Sequence, residues 1–469
     1  MTAGFALIDW VFVASYFVFL IWISWKKGWR SESEEEFLLS GRKVTLPAFV
    51  ATLVSTWYGG ILGIGEWSYQ FGISQWLILG MPFYIFSALF AVFLAGKIRL
   101  NKALTIPEAI ANHYNEKAGR ISALPIFVLV SPAPYILMLA LLFQFLTGGD
   151  APFLFYASLV ALFSVLYITI GGFGAVIRTD VLQVVLMFGG FILLLIFAVG
   201  EFGGFGTLID ALPSGHLDIT GGYGWQYILV WFFIALWTFV DPSFHQRAAA
   251  AKTPATARKG IFVSIGFWMA FDFLTCFAGL YAFAILGDGL EQPVLAYPIL
   301  ADQILPVGIK GLFFLSLLAT IMSTLDSYLF ISGQTLGRDY LLKYFPAVKP
   351  NLLTRISIFI SAILGIILII IYPSVIDLWY VIGSIFIPGL LIPVLGVYLK
   401  LFRLPARFVF YSIIGCTLVS LSWLIFGTIY TPEDGYMFYG IEPFYPGLFV
   451  AIILWIVGRL GNFDDYSQV

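Results

Sequence analysis

Thirteen apolar stretches, most of them about 18 to 25 residues long and almost free of charge, run through this chain of 469 residues. They fall at 5–25, 46–70, 74–96, 121–147, 152–170, 181–200, 223–245, 259–286, 308–334, 353–372, 376–400, 406–428 and 443–460. A stretch of that length crosses the hydrocarbon core of a bilayer as one helix, because a helix satisfies its backbone hydrogen bonds within the segment. A β-barrel would show short segments of alternating polarity, and these runs do not alternate. Of all residues 61% are hydrophobic and only 11% charged, too little charge to cover a water-soluble surface. A soluble enzyme and a disordered chain are therefore excluded. The net charge of −2 leaves no basic footprint for nucleic acid. Cys276 and Cys416 both lie in apolar stretches and give neither a disulfide framework nor a cysteine metal site.

The positive charges test the span count independently. There are 24 lysines and arginines, and all but Lys310 fall in alternate connections, on one side of the membrane. By the positive-inside rule that side is cytoplasmic, which puts the N-terminus outside and the C-terminus inside. The first run is followed by Lys26-Lys27 and the acids from Glu32 to Glu36, so it reads as a retained helix rather than a signal peptide. The expected setting is a plasma membrane, such as a bacterial inner membrane.

Two spans look interrupted. The second carries Ser55-Thr56-Trp57-Tyr58-Gly59-Gly60, then Gly63, Gly65 and Glu66; the seventh carries Trp237-Thr238-Phe239-Val240-Asp241-Pro242-Ser243. They are five spans apart and so cross in opposite directions. Broken helices at matching positions of two inverted halves mark the binding site of a secondary transporter. The competing reading is that Gly59 and Gly60 merely let helices approach closely.

Ionisable groups at membrane depth are costly and usually functional. Those in or near spans are Asp9, Glu66, Arg178, Asp180, Asp241, Asp272, Asp326 and Asp377. Asp9 and Asp377 sit near the outer interface, where no special role is needed, and Arg178 could pair locally with Asp180. The ninth span is the most informative. Helical spacing puts Thr320, Ser323, Thr324 and Ser327 on one face, with Asp326 close to it. Hydroxyls and carbonyls are the hard oxygen donors an alkali cation needs, and an unwound helix opposite can add free carbonyls.

At these residues the chain resembles the sodium:solute symporter family, which includes sodium/glucose, proline, sialic acid, pantothenate and choline transporters. The marks are Glu36-Phe37-Leu38-Leu39-Ser40-Gly41-Arg42, Leu104-Thr105-Ile106-Pro107-Glu108, and Gly171-Gly172-Phe173-Gly174-Ala175-Val176 with Thr179-Asp180 and Gln183. Gln246-Arg247 with Ala250-Ala251-Lys252 is similar to the loop after the family's seventh span, and Met322-Ser323-Thr324 with Asp326-Ser327 completes the set. The resemblance implies an all-α membrane protein of about thirteen helices with a LeuT-like core. One leading helix (about 5–25) precedes repeat one (about 46–200) and the inverted repeat two (about 223–400), and two trailing helices follow (about 406–460). It implies sodium-driven symport by alternating access, with Na+ as coupling ion and no other cofactor. The sodium ligands would be the carbonyls of Leu53, Thr56 and Thr320 and the hydroxyls of Ser323 and Thr324. Asp180, Asp326 and Ser327 would form a second site, for a cation or a proton. Asp326 departs from the serine that some members carry there.

The solute should meet the breaks. Trp57, Tyr58, Gly60, Glu66, Trp237 and Asp241 are the expected contacts, with Gly59 and Ser243 beside them. Aromatic faces near a carboxylate suit a cationic or sugar-like solute. The Thr56-Trp57 stretch with its glycines is similar to the choline branch, with spacing that differs by two residues. The glutamine that sugar transporters carry at the position of Gly60 is missing. A small organic solute, Na+ and lipid are the expected partners, with no nucleic acid. The alternatives are a proton-coupled symporter of the same fold and a non-transporting membrane sensor. An enzyme is not expected, because His113, His216 and His245 all lie in or near loops without nucleophile or metal-ligand spacing.

Overall fold

The computed structural model describes residues 4–25 and 33–461; Lys26, Lys27, Arg30 and Glu32 lie outside the described residues. The described chain is nearly all helical, with two isolated β-bridges. Ten helices are long and apolar enough to cross a membrane: Leu46–Phe71, Trp76–Leu100, Glu116–Thr147, Gly172–Phe202, Trp225–Ala250, Pro254–Leu286, Ile309–Lys343, Pro350–Ile371, Val375–Tyr398 and Ala406–Tyr430. Shorter apolar helices, Leu7–Ile23, Phe153–Thr169 and Phe444–Leu460, stand at the first, fifth and thirteenth apolar runs.

Helix α1 (Leu7–Trp25) leads. The second span divides into α2 (Leu46–Trp57) and α3 (Ile61–Phe71), joined by a 3-10 turn at Tyr58–Gly60. The glycines there serve close packing as well as the break. A Cβ on Gly59 would overlap the Thr324 side chain, and one on Gly60 would overlap the Trp379 ring.

Helix α4 (Phe153–Phe202) bends at Gly172, whose φ of 60° and ψ of −174° are open to glycine and costly for other residues. A Cβ there would also press on the Phe37 ring. The Gly171-Gly172 motif is thus the corner between two successive spans.

The seventh span divides into α5 (Trp225–Ile234), a short turn Trp237–Val240 and α6 (Pro242–Ala250). Proline disfavours helical backbone in the residue before it, and Asp241 accordingly sits at ψ 114°. Its side chain then caps α6 by accepting from the Ser243 N–H at 2.7 Å. The two broken spans meet at their ends: Val44 N–H donates to the Ala250 carbonyl at 3.1 Å, and Lys252 N–H donates to the Val44 carbonyl at 2.8 Å.

Helix α7 (Pro254–Leu286) follows, then α8 (Ile309–Gln334), which is buried along nearly its whole length. A helix apolar on every side and carrying hydroxyls can be surrounded by protein rather than lipid. Asp9, expected to sit near the outer interface without a role, is buried and caps α8 from α1. Its Oδ1 accepts from the Gly308 and Gly311 N–H groups, each at 2.8 Å. Helix α9 (Val375–Tyr398) packs beside the seventh-span break and brings Trp379 to Gly60.

Candidate functional site

The candidate cation residues come from α2, α4 and α8, and all are buried. The Thr324 hydroxyl donates to the Thr56 carbonyl at 2.6 Å. The Ser323 hydroxyl donates to Asp180 Oδ1 at 2.6 Å, and the Thr52 hydroxyl donates to Asp180 Oδ2. The Thr320 hydroxyl donates to the Ser316 carbonyl at 2.7 Å; the oxygen expected of this residue is its backbone carbonyl. Leu53 lies one turn before Thr56 on α2.

The second-site residues stand around Arg247 and Asp180. Ser327 Oγ lies 3.2 Å from Thr56 Oγ1 and accepts from Arg247 Nη2 at 2.9 Å. Asp180 pairs with the same Nη2 at 3.7 Å rather than with Arg178, because side chains two apart on a helix do not face each other. The Asp326 carboxylate stands beside Tyr167, Tyr16 and Asp180.

A cavity opens beside this network. Trp57, Gly60, Trp237, Asp241 and Ser243 line it, as do Leu53 and Thr56. So the cavity and the candidate sodium ligands share two residues of α2. Tyr58 does not line it: its hydroxyl donates to the Trp268 carbonyl at 2.8 Å. Glu66 is likewise absent from the lining, lying nearly two turns beyond Gly60.

Several lining residues escape sequence reasoning. Tyr135, Trp231, Tyr328 and Trp379 complete the aromatic wall, with Phe83 and Phe244 packed edge-on against Trp57. Tyr328 directly follows Ser327, and that adjacency was the one signal available. Its hydroxyl donates to Asp241 Oδ2 at 3.4 Å, beside the Ser243 hydroxyl at 2.9 Å. The indole N–H of Trp237 has no hydrogen-bond partner among the described residues.

Two residues expected in or near a loop stand inside α6. His245 is buried, with Nε2 2.9 Å from the Phe239 carbonyl. Arg247, which the charge count assigns to a cytoplasmic connection, is 1% exposed and sits within the cation network. Its position four residues after Ser243 puts it one turn from the break.

Comparison with known proteins places this arrangement. The family model for the sodium:solute symporter family matches residues 37–403. The chain is 28% identical over 383 residues to a sodium/glucose cotransporter of Vibrio parahaemolyticus, covering 70% of this chain and 67% of that one. It is 25% identical over 386 residues to a sodium/proline symporter of Staphylococcus aureus, covering 76% and 74%. Its fold is similar to that of a substrate-bound, outward-open Na+-coupled sialic acid symporter, with a TM-score of 0.76, 16% identity, and coverage of 99% of this chain and 100% of that one. The nucleobase-cation-symport-1 family transporter MHP1 is a more distant fold relative, with a TM-score of 0.59, 14% identity, and coverage of 90% and 93%. The matched residues run from Phe37 to beyond α9, so this chain is an integral membrane transporter, not an enzyme, and belongs to the sodium:solute symporter family.

Proposed function

We propose that this sodium-coupled transporter imports a small, positively charged organic solute by alternating access. Its architecture would be one leading helix (about 5–25), inverted repeats over about 46–200 and 223–400, and trailing helices over about 406–460. The N-terminus would be outside and the C-terminus in the cytoplasm of a bacterial cell. The observation that carries coupling is the sharing of Leu53 and Thr56 between the solute cavity and the sodium ligand set. Sodium held by the carbonyls of Leu53, Thr56 and Thr320 and the hydroxyls of Ser323 and Thr324 would fix the break in α2, and with it one wall of the cavity. Sodium then favours the solute-competent state by population shift, and by linkage the solute tightens sodium binding equally. Each sodium entering down a potential of 100 mV supplies about 2.3 kcal/mol before any concentration gradient.

The relatives are named for glucose, proline and sialic acid. This cavity supports a different chemistry. Four tryptophans and two tyrosines line the cavity with a single carboxylate, Asp241, a combination suited to an ammonium through cation–π attraction and charge.

The test is tracer uptake into proteoliposomes under an inward sodium gradient, with potassium as control. A quaternary ammonium, a zwitterionic amino acid and a hexose would be compared. Sodium-dependent uptake of the ammonium, lost in Ser323→Ala, is expected. Uptake indifferent to sodium but collapsed by a protonophore would point to the proton-coupled alternative.

A further inference from the structure

Three basic side chains share one apolar groove, on the face that the positive-inside count assigns to the cytoplasm. Lys97 lies in the last turn of the span Trp76–Leu100. Lys400 opens the 3-10 turn that follows α9, and Arg403 caps that turn. The groove encloses about 890 Å³, against about 100 Å³ for the solute cavity. Its walls are mostly Leu and Phe side chains of the Trp76–Leu100 span, the seventh-span break and α9, and no carboxylate is among them. Leu89 and Phe93 of that wall are exposed. None of the three basic side chains forms an ion pair among the described residues. Lys97 Nζ donates to the Tyr398 carbonyl at 2.9 Å, which leaves two of its three N–H donors for another acceptor.

We infer that this groove is a binding site for an anionic phospholipid. Its acyl chain lies along the Leu and Phe walls, and its phosphate rests on Lys97, Lys400 and Arg403. The inference is independent of which ion and which solute the protein carries.

Lysines at the cytoplasmic edge of membrane helices commonly reach for whatever headgroup passes. Here the three charges stand on one recess, and basic pockets between membrane helices on the cytoplasmic side are the setting in which anionic headgroups are held. The recess also has depth. Leu89 precedes Lys97 by two turns of helix and Leu391 stands still further before Lys400, so the walls run about 12 Å from the basic rim towards the middle of the bilayer. A soluble anion would use the rim alone, whereas a lipid uses the rim and the walls together. A zwitterionic lipid would bring its own ammonium up to three cations. The deep end of the groove matters for transport: Leu236 and Phe239 line it, and both belong to the same break as Trp237, which lines the solute cavity. The lipid chain therefore packs against the turn that carries one wall of that cavity.

Native mass spectrometry of the delipidated, detergent-purified protein tests this, with dioleoyl phosphatidylglycerol and dioleoyl phosphatidylcholine as the two probes. One phosphatidylglycerol per chain should bind at concentrations at least about tenfold below those needed for phosphatidylcholine. The triple variant Lys97→Gln, Lys400→Gln, Arg403→Gln should erase that preference. A control triple, Lys252→Gln, Lys343→Gln, Lys349→Gln, removes the same charge from the same face and should keep it. Leu89→Trp, an exposed wall position, should obstruct the groove and weaken phosphatidylglycerol binding while the melting temperature in detergent is retained. Equal binding of the two lipids by the wild type would overturn the inference, as would equal loss of preference in the two triple variants, because charge would then act only as a general surface potential. If the rim variant fails to fold, Leu89→Trp decides: undiminished phosphatidylglycerol binding there would place the lipid elsewhere on the protein and overturn the site.

Discussion

The Thr324 hydroxyl donates to the Thr56 carbonyl at 2.6 Å, and this bond joins the buried helix α8 to the last turn of α2 before its break. A hydroxyl aimed at a carbonyl on the facing helix has only to rotate its proton away to offer both oxygens to a cation. Removing either α8 hydroxyl deletes one of five expected oxygen donors. Thr324→Ala and Ser323→Ala should each raise the sodium concentration for half-maximal uptake about tenfold or more, equivalent to about 1.4 kcal/mol or more. Sodium titration of uptake reads this, with expression and solute affinity at saturating sodium as controls. A wild-type sodium requirement in both variants would remove these residues from the site.

Gly59 and Thr324 touch so closely that no Cβ fits between them. Gly59→Ala should therefore push α2 away from α8, at a cost of about 1–3 kcal/mol for overpacking. Because the displaced group is the expected sodium ligand, stabilisation of the protein by sodium against thermal unfolding should shrink in step. Loss of melting temperature with the sodium effect intact would mean that the contact is packing alone.

The spans were readable because bilayer thickness dictates helix length, and the two breaks because proline and paired glycines are local signals. Asp241 shows how local: Pro242 directly after it both breaks the helix and makes it a cap. What could not be read was partnership. Asp180 pairs with Arg247, distant in sequence and counted as a loop charge, rather than with nearby Arg178. The aromatic wall is also non-local. Tyr135, Trp231 and Trp379 lie on three separate helices, and none carries a motif that distinguishes it from the other aromatic residues of a chain with 14 Trp and 24 Tyr.

Asp241 has two duties that a pair of variants separates. It caps α6 through the Ser243 N–H, and it supplies the carboxylate in the aromatic cavity. Asparagine caps about as well as aspartate. Asp241→Asn should then keep its thermal stability while KM for a cationic solute rises about a hundredfold, the scale of a lost charged partner at about 2–3 kcal/mol. Asp241→Ala should lose the same affinity and about 1 kcal/mol of stability besides. If Asn transports the cationic solute with wild-type KM, the carboxylate is a cap and nothing more.

Glu442 supplies a pH dependence that lies away from transport. It precedes the Phe444–Leu460 helix, is 3% exposed, and accepts a hydrogen bond from the Tyr380 hydroxyl of α9. Burial pushes its carboxyl up from 4.5 to about 7. A carboxyl whose folded value is raised contributes stability that is fully present below the unfolded value and is lost as pH rises through the folded one. The melting temperature should therefore fall between about pH 5 and about pH 7.5 and level off above that. Glu442→Gln keeps a neutral side chain at every pH, so it should flatten this slope, matching the wild type at the acid end and exceeding it at the alkaline end. Thermal unfolding in one detergent across that range, with both proteins side by side, measures the difference. An equal slope in the two would assign the pH dependence to other groups.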